Sequence, residues 1–205
     1  MEFTLHKDFS SISSPAWNAL VEAGISDTPF LRYELLSQWW KTLGGGEWKE
    51  TELALITATE NGNLIGIAPL FKAVYDNRAA LLLVGSIEVS DYLDLIVRAE
   101  DLPRFLSGLI DFLAQSPSFT GLPFDWYNLV DSSPTLPALK AESEKRGWTY
   151  REEIYRPTPR IALGGDFDAY LNGIDKKQRH EIRRKMRRAV ESEAPVQFYI
   201  VEDSA

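Results

Sequence analysis

The stretch from Leu53 to Lys72 constrains this chain most tightly. Two strand-like runs, Leu53–Glu60 and Leu64–Lys72, flank Asn61-Gly62, a dipeptide suited to the two positive φ angles of a type I′ turn. The pairing predicts an antiparallel hairpin. Two more runs follow, Ala80–Val84 and Tyr92–Val97. As a strand, the last would place Leu93, Leu95 and Val97 on one face and Tyr92, Asp94 and Ile96 on the other.

Helices surround this centre. Phe3 to Phe9 reads as a short opening strand. Ser14-Pro15 starts a helix, with Ser at the N-cap, Pro in the first turn and Trp17, Leu20 and Val21 on one face, and Gly24 ends it. A second helix follows Thr28-Pro29 and runs to the stop at Gly44-Gly45-Gly46. Its adjacent Trp39 and Trp40 cannot both point into one core: one lines a cleft, or the pair makes two separate buried contacts. Leu102–Leu113 is an amphipathic helix, Trp126–Val130 a strand, Leu136–Arg146 a helix stopped by Gly147, Trp148–Ile154 a strand and Arg160–Leu163 a further short one. The order lacks the steady βαβ alternation of a doubly wound fold. It predicts an α+β class with a mixed, mostly antiparallel sheet flanked by helices.

The charge is uneven. Residues 176–205 hold eight Lys/Arg and five Asp/Glu, leaving 14 and 25 for the first 175, so a net of +3 follows a net of −11. Phe167 to Glu193 reads as two helical units broken at Asn172-Gly173, a place for glycine at a helix end. The second unit restarts at Asp175, whose carboxylate suits an N-cap, with Gln178 three residues on as its capping-box partner. Ile174, Gln178, Ile182, Met186 and Val190 then recur at steps of four. The other faces carry Lys176, Lys177, Arg179, Arg183, Arg184, Lys185, Arg187 and Arg188 against the one acid Glu181. An acidic body repels polyanions at range, so an anion site on this helix has to be local.

Several classes are disfavoured. The chain has no cysteine, hence no disulfide framework, thiol nucleophile or thiolate metal site. Its two histidines, His6 and His180, stand alone, and the carboxylates lack ligand spacing, so no metal is expected. No G-x-S-x-G turn supports a serine hydrolase. No apolar run approaches the ~18 residues that cross a bilayer, the opening MEFTLHKDF is not a secretory signal, and the expectation is a cytoplasmic protein without a membrane partner.

The order of elements resembles the GNAT acyltransferase fold. FDAYL at 167–171, leading through Lys177 and Arg179 into IRRKMRR at 182–188 and on to a strand at Val196–Val201, is similar to the CelD/BioF-type acetyltransferases. These are relatives of the Fem-type aminoacyl ligases, which carry two GNAT-like halves in tandem. SDYLDL at 90–95 and TPFLRYELLSQWW at 28–40 resemble the same branch, so the likeness spans essentially the whole chain. It implies a first GNAT-like domain over 1–164, then at 165–205 a basic helical linker and the opening strand of a second, incomplete half. It also implies an N-acyltransferase that joins an acyl group from acyl-CoA, such as acetyl-CoA, to an amine.

One departure bears on the cofactor. Acyl-CoA-binding GNAT domains cradle the pyrophosphate on a glycine-rich turn at a helix N-terminus. The equivalent turn here, Val97 to Leu102, has no glycine and carries Glu100 and Asp101, whose charge opposes a second anion. This half is therefore expected not to bind acyl-CoA, and to be inactive without the other half.

Asp91, Tyr92 and Asp94, with Trp39, are the candidate acceptor residues, the acids holding an amine by charge; otherwise such acids satisfy backbone and nearby arginines. Lys176, Arg179, Arg183, Arg184, Arg187 and Arg188 are the candidate anion site for a nucleotide-linked or carrier-borne substrate; otherwise they form a solvated face. A different-class reading makes the chain a non-catalytic module that binds a phosphorylated or nucleic-acid partner, such as a tRNA, through this helix. The helix has no interleaved aromatics on which bases would stack.

Overall fold

The hairpin forms as the sequence predicts. Asn61 and Gly62, at φ +52° and +79°, join β2 (Lys49–Glu60) to β3 (Asn63–Tyr75), which pair antiparallel. The ladder shifts register between Lys49 and Glu52 and between Ala58 and Thr59, as bulges do. β1 (Glu2–His6) pairs with β2, from Glu2 opposite Thr59 to His6 opposite Leu55. The remaining strands are β4 (Arg78–Leu83) and β5 (Ile96–Val97), and both pair antiparallel with β3. The result is a five-stranded antiparallel sheet in the order β1-β2-β3-β4, with β5 also on β3.

This computed structural model describes residues 1–75, 78–85, 87, 89–194, 196 and 199. The chain divides into two units, Met1–Arg156 and Pro157–Ala205.

In the first unit β3 carries two partners along one edge. β4 occupies Leu70 to Tyr75 and β5 occupies Gly66 and Ile67. Between them the Pro69 carbonyl accepts from Val84 N at 2.8 Å. An N–H and C=O of one strand residue point to the same edge, so proline withholds a donor where the outer partner changes over. Leu53 to Ala58 and Gly66 to Phe71 are buried without a break, as strands covered on both faces are.

Helices supply the cover. α1 (Ser14–Glu22) packs against β3 and β5, and α3 (Leu102–Gln115) against β1 and β3. Gly66 is required for close approach: a Cβ there would lie 2.5 Å from the Phe105 ring. α1 is capped by Ser13, one residue before the Ser14 expected from the sequence. The second helix is split. Pro29–Leu31 forms a 3-10 turn, Arg32 is extended at ψ 142°, and α2 (Tyr33–Leu43) starts afresh. The side chains of α1 hold the split open: Trp17 Nε1 donates to Leu31 O at 2.8 Å, and Tyr33 N donates to Asn18 Oδ1 at 3.0 Å. α4 (Thr135–Arg146) is tied to α3 by Arg146, which donates to Asp111 at 2.7 Å and also pairs with Glu142.

Several expected strands do not form. The opening strand stops at His6, and Asp8 caps a 3-10 turn over Phe9–Ser11. Within Tyr92–Val97 only Ile96–Val97 pairs; Tyr92 sits at φ +54°, and Leu93 to Val97 are all buried instead of alternating. Trp126–Val130 is not a strand, because Asn128 at φ +62° interrupts the extension; a single parallel bridge joins Phe124 to Leu81 just before it. Trp148–Ile154 and Arg160–Leu163 have strand-like patterns but no ladder, and residues 151–163 are exposed. Strand preference needs a pleated, half-buried neighbour to act. The run Val196–Val201 lies outside the described residues, apart from Val196 and Tyr199.

The second unit contains α5 (Phe167–Gly173) and α6 (Lys176–Glu191). Asp166 caps the first through Asp168 N at 2.9 Å, and Asp175 caps the second through Lys177 N at 2.8 Å and Gln178 N at 3.3 Å. The chain leaves α5 through Ile174, extended at φ −93° and ψ 166°, without the positive φ expected at Gly173. Leu171, 2% exposed, is the one buried side chain among the described residues of this unit.

Candidate functional site

The changeover on β3 builds the first site. The chain leaves the sheet after Leu83 and returns at Ile96, and the described residues between them, 84, 85, 87 and 89–95, make an excursion. Residues 123–128 run beside it. Leu81 N donates to Pro123 O and Asp125 N to Leu81 O, both at 2.9 Å, and Leu93 N donates to Asn128 O at 3.0 Å. Asn128 reaches across the excursion, its Nδ2 donating to Ser90 O at 2.6 Å and to Ile87 O at 3.3 Å. Two non-glycine residues in these segments have positive φ, Tyr92 at +54° and Asn128 at +62°. Asparagine takes this region readily, whereas an aromatic residue there is an outlier, and such backbone strain gathers at functional sites.

The four residues expected to form the acceptor site divide into two pairs. Asp91 is exposed and has no ion-pair partner among the described residues. Tyr92 is half-buried with its ring 6.1 Å from Phe30. Asp94 is buried: Oδ2 accepts from Ser133 Oγ at 2.5 Å, and Oδ1 accepts from Thr135 Oγ1 at 2.6 Å and from Leu95 N at 2.8 Å. Burial pushes its carboxyl above the ordinary range, and those three hydrogen bonds pull it back in part. Trp39 is only 4% exposed, so of the tryptophan pair it enters the core and Trp40 is the half-buried one.

An aromatic cluster with no signature in the sequence lies near the excursion. Trp40 and Trp48 lie 5.6 and 5.8 Å from Phe71, Trp48 lies 6.2 Å from Tyr127, and Tyr127 lies 6.0 Å from Tyr155. Glu47, beside Trp48, accepts from Ile87 N at 3.2 Å and ties this cluster to the excursion. Trp39 Nε1, Ser90 Oγ and Trp126 Nε1 are buried with no hydrogen-bond partner among the described residues. No local pattern announces these contacts, because they join residues far apart in sequence.

The turn into α3 presents acids and few free amides. Asp101 N and Leu102 N both donate to Arg98 O, at 3.1 and 3.0 Å, and Pro103 has no N–H. Arg104 gathers the carboxylates, binding Asp101 at 2.6 Å and Glu60 at 2.9 Å.

In the second unit, folding sorts the cations of α6. Arg179 donates to the carbonyls of Leu171 and Asn172, at 3.4 and 3.2 Å, closing the end of α5. Arg183 pairs with Asp168 at 3.5 Å, and Arg184 and Lys185 reach Glu181 at 2.6 and 3.8 Å. Hydrogen bonding from Arg184 holds the Glu181 carboxyl below its ordinary value. Lys176, Lys177, Arg187 and Arg188 have no partner among the described residues. Ala162, Gly164, Ala169, Tyr170, Gly173 and Ile174 line a depression beside α5.

Among the described residues no group of three His, Asp or Glu side chains is placed to hold a metal ion, and no helix is long and apolar enough to cross a membrane. Compared with known proteins, the chain matches no family model and no curated sequence.

Proposed function

We propose that this chain is the acceptor-binding half of a GNAT-like N-acyltransferase of the CelD/BioF type. The observation that carries the reading is the excursion between β4 and β5, where Tyr92 is held at φ +54° next to the exposed carboxylate of Asp91. A carboxylate and aromatic faces suit a cationic ligand: Asp91 attracts an ammonium group, and the Tyr92 and Phe30 rings offer their negative faces. The ammonium held by Asp91 first gives up one proton to solvent, and the neutral amine then attacks the thioester carbonyl. A C–N bond forms, the C–S bond breaks, and the thiolate leaves with the proton that the amine gives up. The contribution of this half is to position the amine. The acids and occupied amides at the start of α3 favour a thioester bound by the other half.

A second reading rests on the unpaired Lys176, Lys177, Arg187 and Arg188, which favour a binding module for a phosphorylated or nucleic-acid partner. Titration separates the two. A primary diamine is expected to change the tryptophan fluorescence of the chain, and Asp91→Asn to abolish that change. Acetyl-CoA is expected to give no heat of binding, and a low-micromolar dissociation constant would overturn the assignment of the cofactor to the other half. Unaltered fluorescence across a panel of amines, with phosphate ligands binding α6, establishes the module instead.

A further inference from the structure

We propose that α6 is an interfacial helix that lies on an anionic bilayer surface, a partner independent of the acyltransferase reading. Ile182, Met186 and Val190 recur at steps of four and Ala189 sits beside them, which at 3.6 residues per turn draws one stripe about 100° wide. The C-terminal part of the stripe faces water, with Met186 50% exposed and Val190 70%, while Ile182 and Ala189 are half-buried. The same helical spacing puts Lys176, Arg183 and Arg187 along one flank and Lys185 along the other. Arg179 alone falls within the sector of the stripe, and its guanidinium is turned back onto the carbonyls of Leu171 and Asn172. The apolar strip is thus clear of free charge, bordered on one side by Lys176, Arg183 and Arg187 and on the other by Lys185, which also reaches Glu181 at 3.8 Å.

That arrangement suits a bilayer interface better than a nucleic acid. An interfacial helix buries its apolar stripe at the acyl boundary while flanking Lys and Arg reach the headgroups. A phosphate backbone has no use for exposed Met186 and Val190, and the helix offers no aromatic platform for bases. Charge complementarity selects anionic lipid. The first 175 residues, at net −11, are repelled by such a surface, which confines contact to the helix and makes binding weak and salt-sensitive.

The absence of cysteine makes the test clean. An environment-sensitive fluorophore is attached through Val190→Cys in one variant and through Arg188→Cys, on the opposite face, in another. Each is mixed with phosphatidylcholine vesicles with or without phosphatidylglycerol. We expect a blue shift for the Val190 position on anionic vesicles only, none for the Arg188 position, and reversal near ~1 M salt, where the screening length falls to about 3 Å. In flotation assays Met186→Ser with Val190→Ser, and separately Lys176→Gln with Arg187→Gln, should each reduce the bound fraction severalfold while far-UV circular dichroism stays unchanged. Absence of flotation, equal binding to neutral vesicles, or flotation without a shift at the Val190 position overturns the proposal. Loss with the cation pair alone, together with tight binding to duplex DNA, marks a polyanion site and also overturns it.

Discussion

Asp94 offers a test of whether the excursion is held by the network described above. Its carboxylate accepts from two buried hydroxyls, Ser133 Oγ at 2.5 Å and Thr135 Oγ1 at 2.6 Å, and from Leu95 N at 2.8 Å. Asp94→Ala leaves three donors without an acceptor, and each unmet buried donor costs about 1–3 kcal/mol. Two effects offset this. The hydroxyls re-aim, and removing the carboxyl relieves the cost of burying it, the same cost that raises its pKa. The net expectation is a loss of about 3 kcal/mol, a midpoint lower by roughly 6–12 °C for a chain of this size. Asp94→Asn keeps the shape and one acceptor oxygen, costs about 1 kcal/mol and abolishes the titration. Because the folded carboxyl binds its proton more readily than the unfolded one, its contribution is fully present below the unfolded pKa and is lost as pH rises through the folded pKa. Urea denaturation across that window should show wild type losing stability relative to Asp94→Asn as pH increases. An Asp94→Ala protein that melts within about 2 °C of wild type, or a pH-independent gap between wild type and Asp94→Asn, refutes the reasoning.

Two further outcomes follow from packing. Gly66→Ala drives a methyl group into the Phe105 ring, 2.5 Å away, and should cost about 1–3 kcal/mol in chemical denaturation; a neutral result means that α3 slides freely on the sheet. Arg146→Met leaves Glu142, 5% exposed, with Lys145 as its remaining cation, a loss of about 1–2 kcal/mol. Hydrogen bonding from Lys145, opposed by burial and aided by Arg146, keeps the Glu142 carboxyl below its ordinary range. That stabilisation holds above the unfolded pKa and is lost as pH falls through the lowered one, so Arg146→Met should flatten the acid limb of a stability–pH curve.

What the sequence discloses is local chemistry. Asn61-Gly62 announces its turn because the two residues themselves supply the needed φ angles, and Asp175 announces the start of α6 because its carboxylate reaches only two and three residues on. The helix stops at Gly44 and Gly147 are legible for the same reason, both adopting positive φ. Trp148–Ile154 misleads because alternation describes what a strand would present to a neighbour, and here no neighbouring edge is formed. Asp94 reads as an acid near a cleft, but its partners Ser133 and Thr135 come from 39 and 41 residues away. The cationic character of α6 is plain in the sequence. Which cations remain unpaired is not, because Arg179, Arg183 and Arg184 are occupied by the end of α5, Asp168 and Glu181.

The shared edge of β3 has a consequence for how such a chain can diversify. β4 and β5 are each fixed by their own pairs, Leu70 to Tyr75 for one and Gly66 with Ile67 for the other. Neither register depends on the length of the excursion that joins them. Residues can therefore be inserted, deleted or exchanged between Val84 and Leu95 while the sheet keeps its pairing, provided that Gly85, which has no room for a Cβ, the buried Leu93, Asp94 and the Asn128 contacts are retained or replaced together. The seam works as a socket: one loop can be exchanged for another there, and a library confined to those positions should yield folded proteins far more often than one of equal size placed in β2.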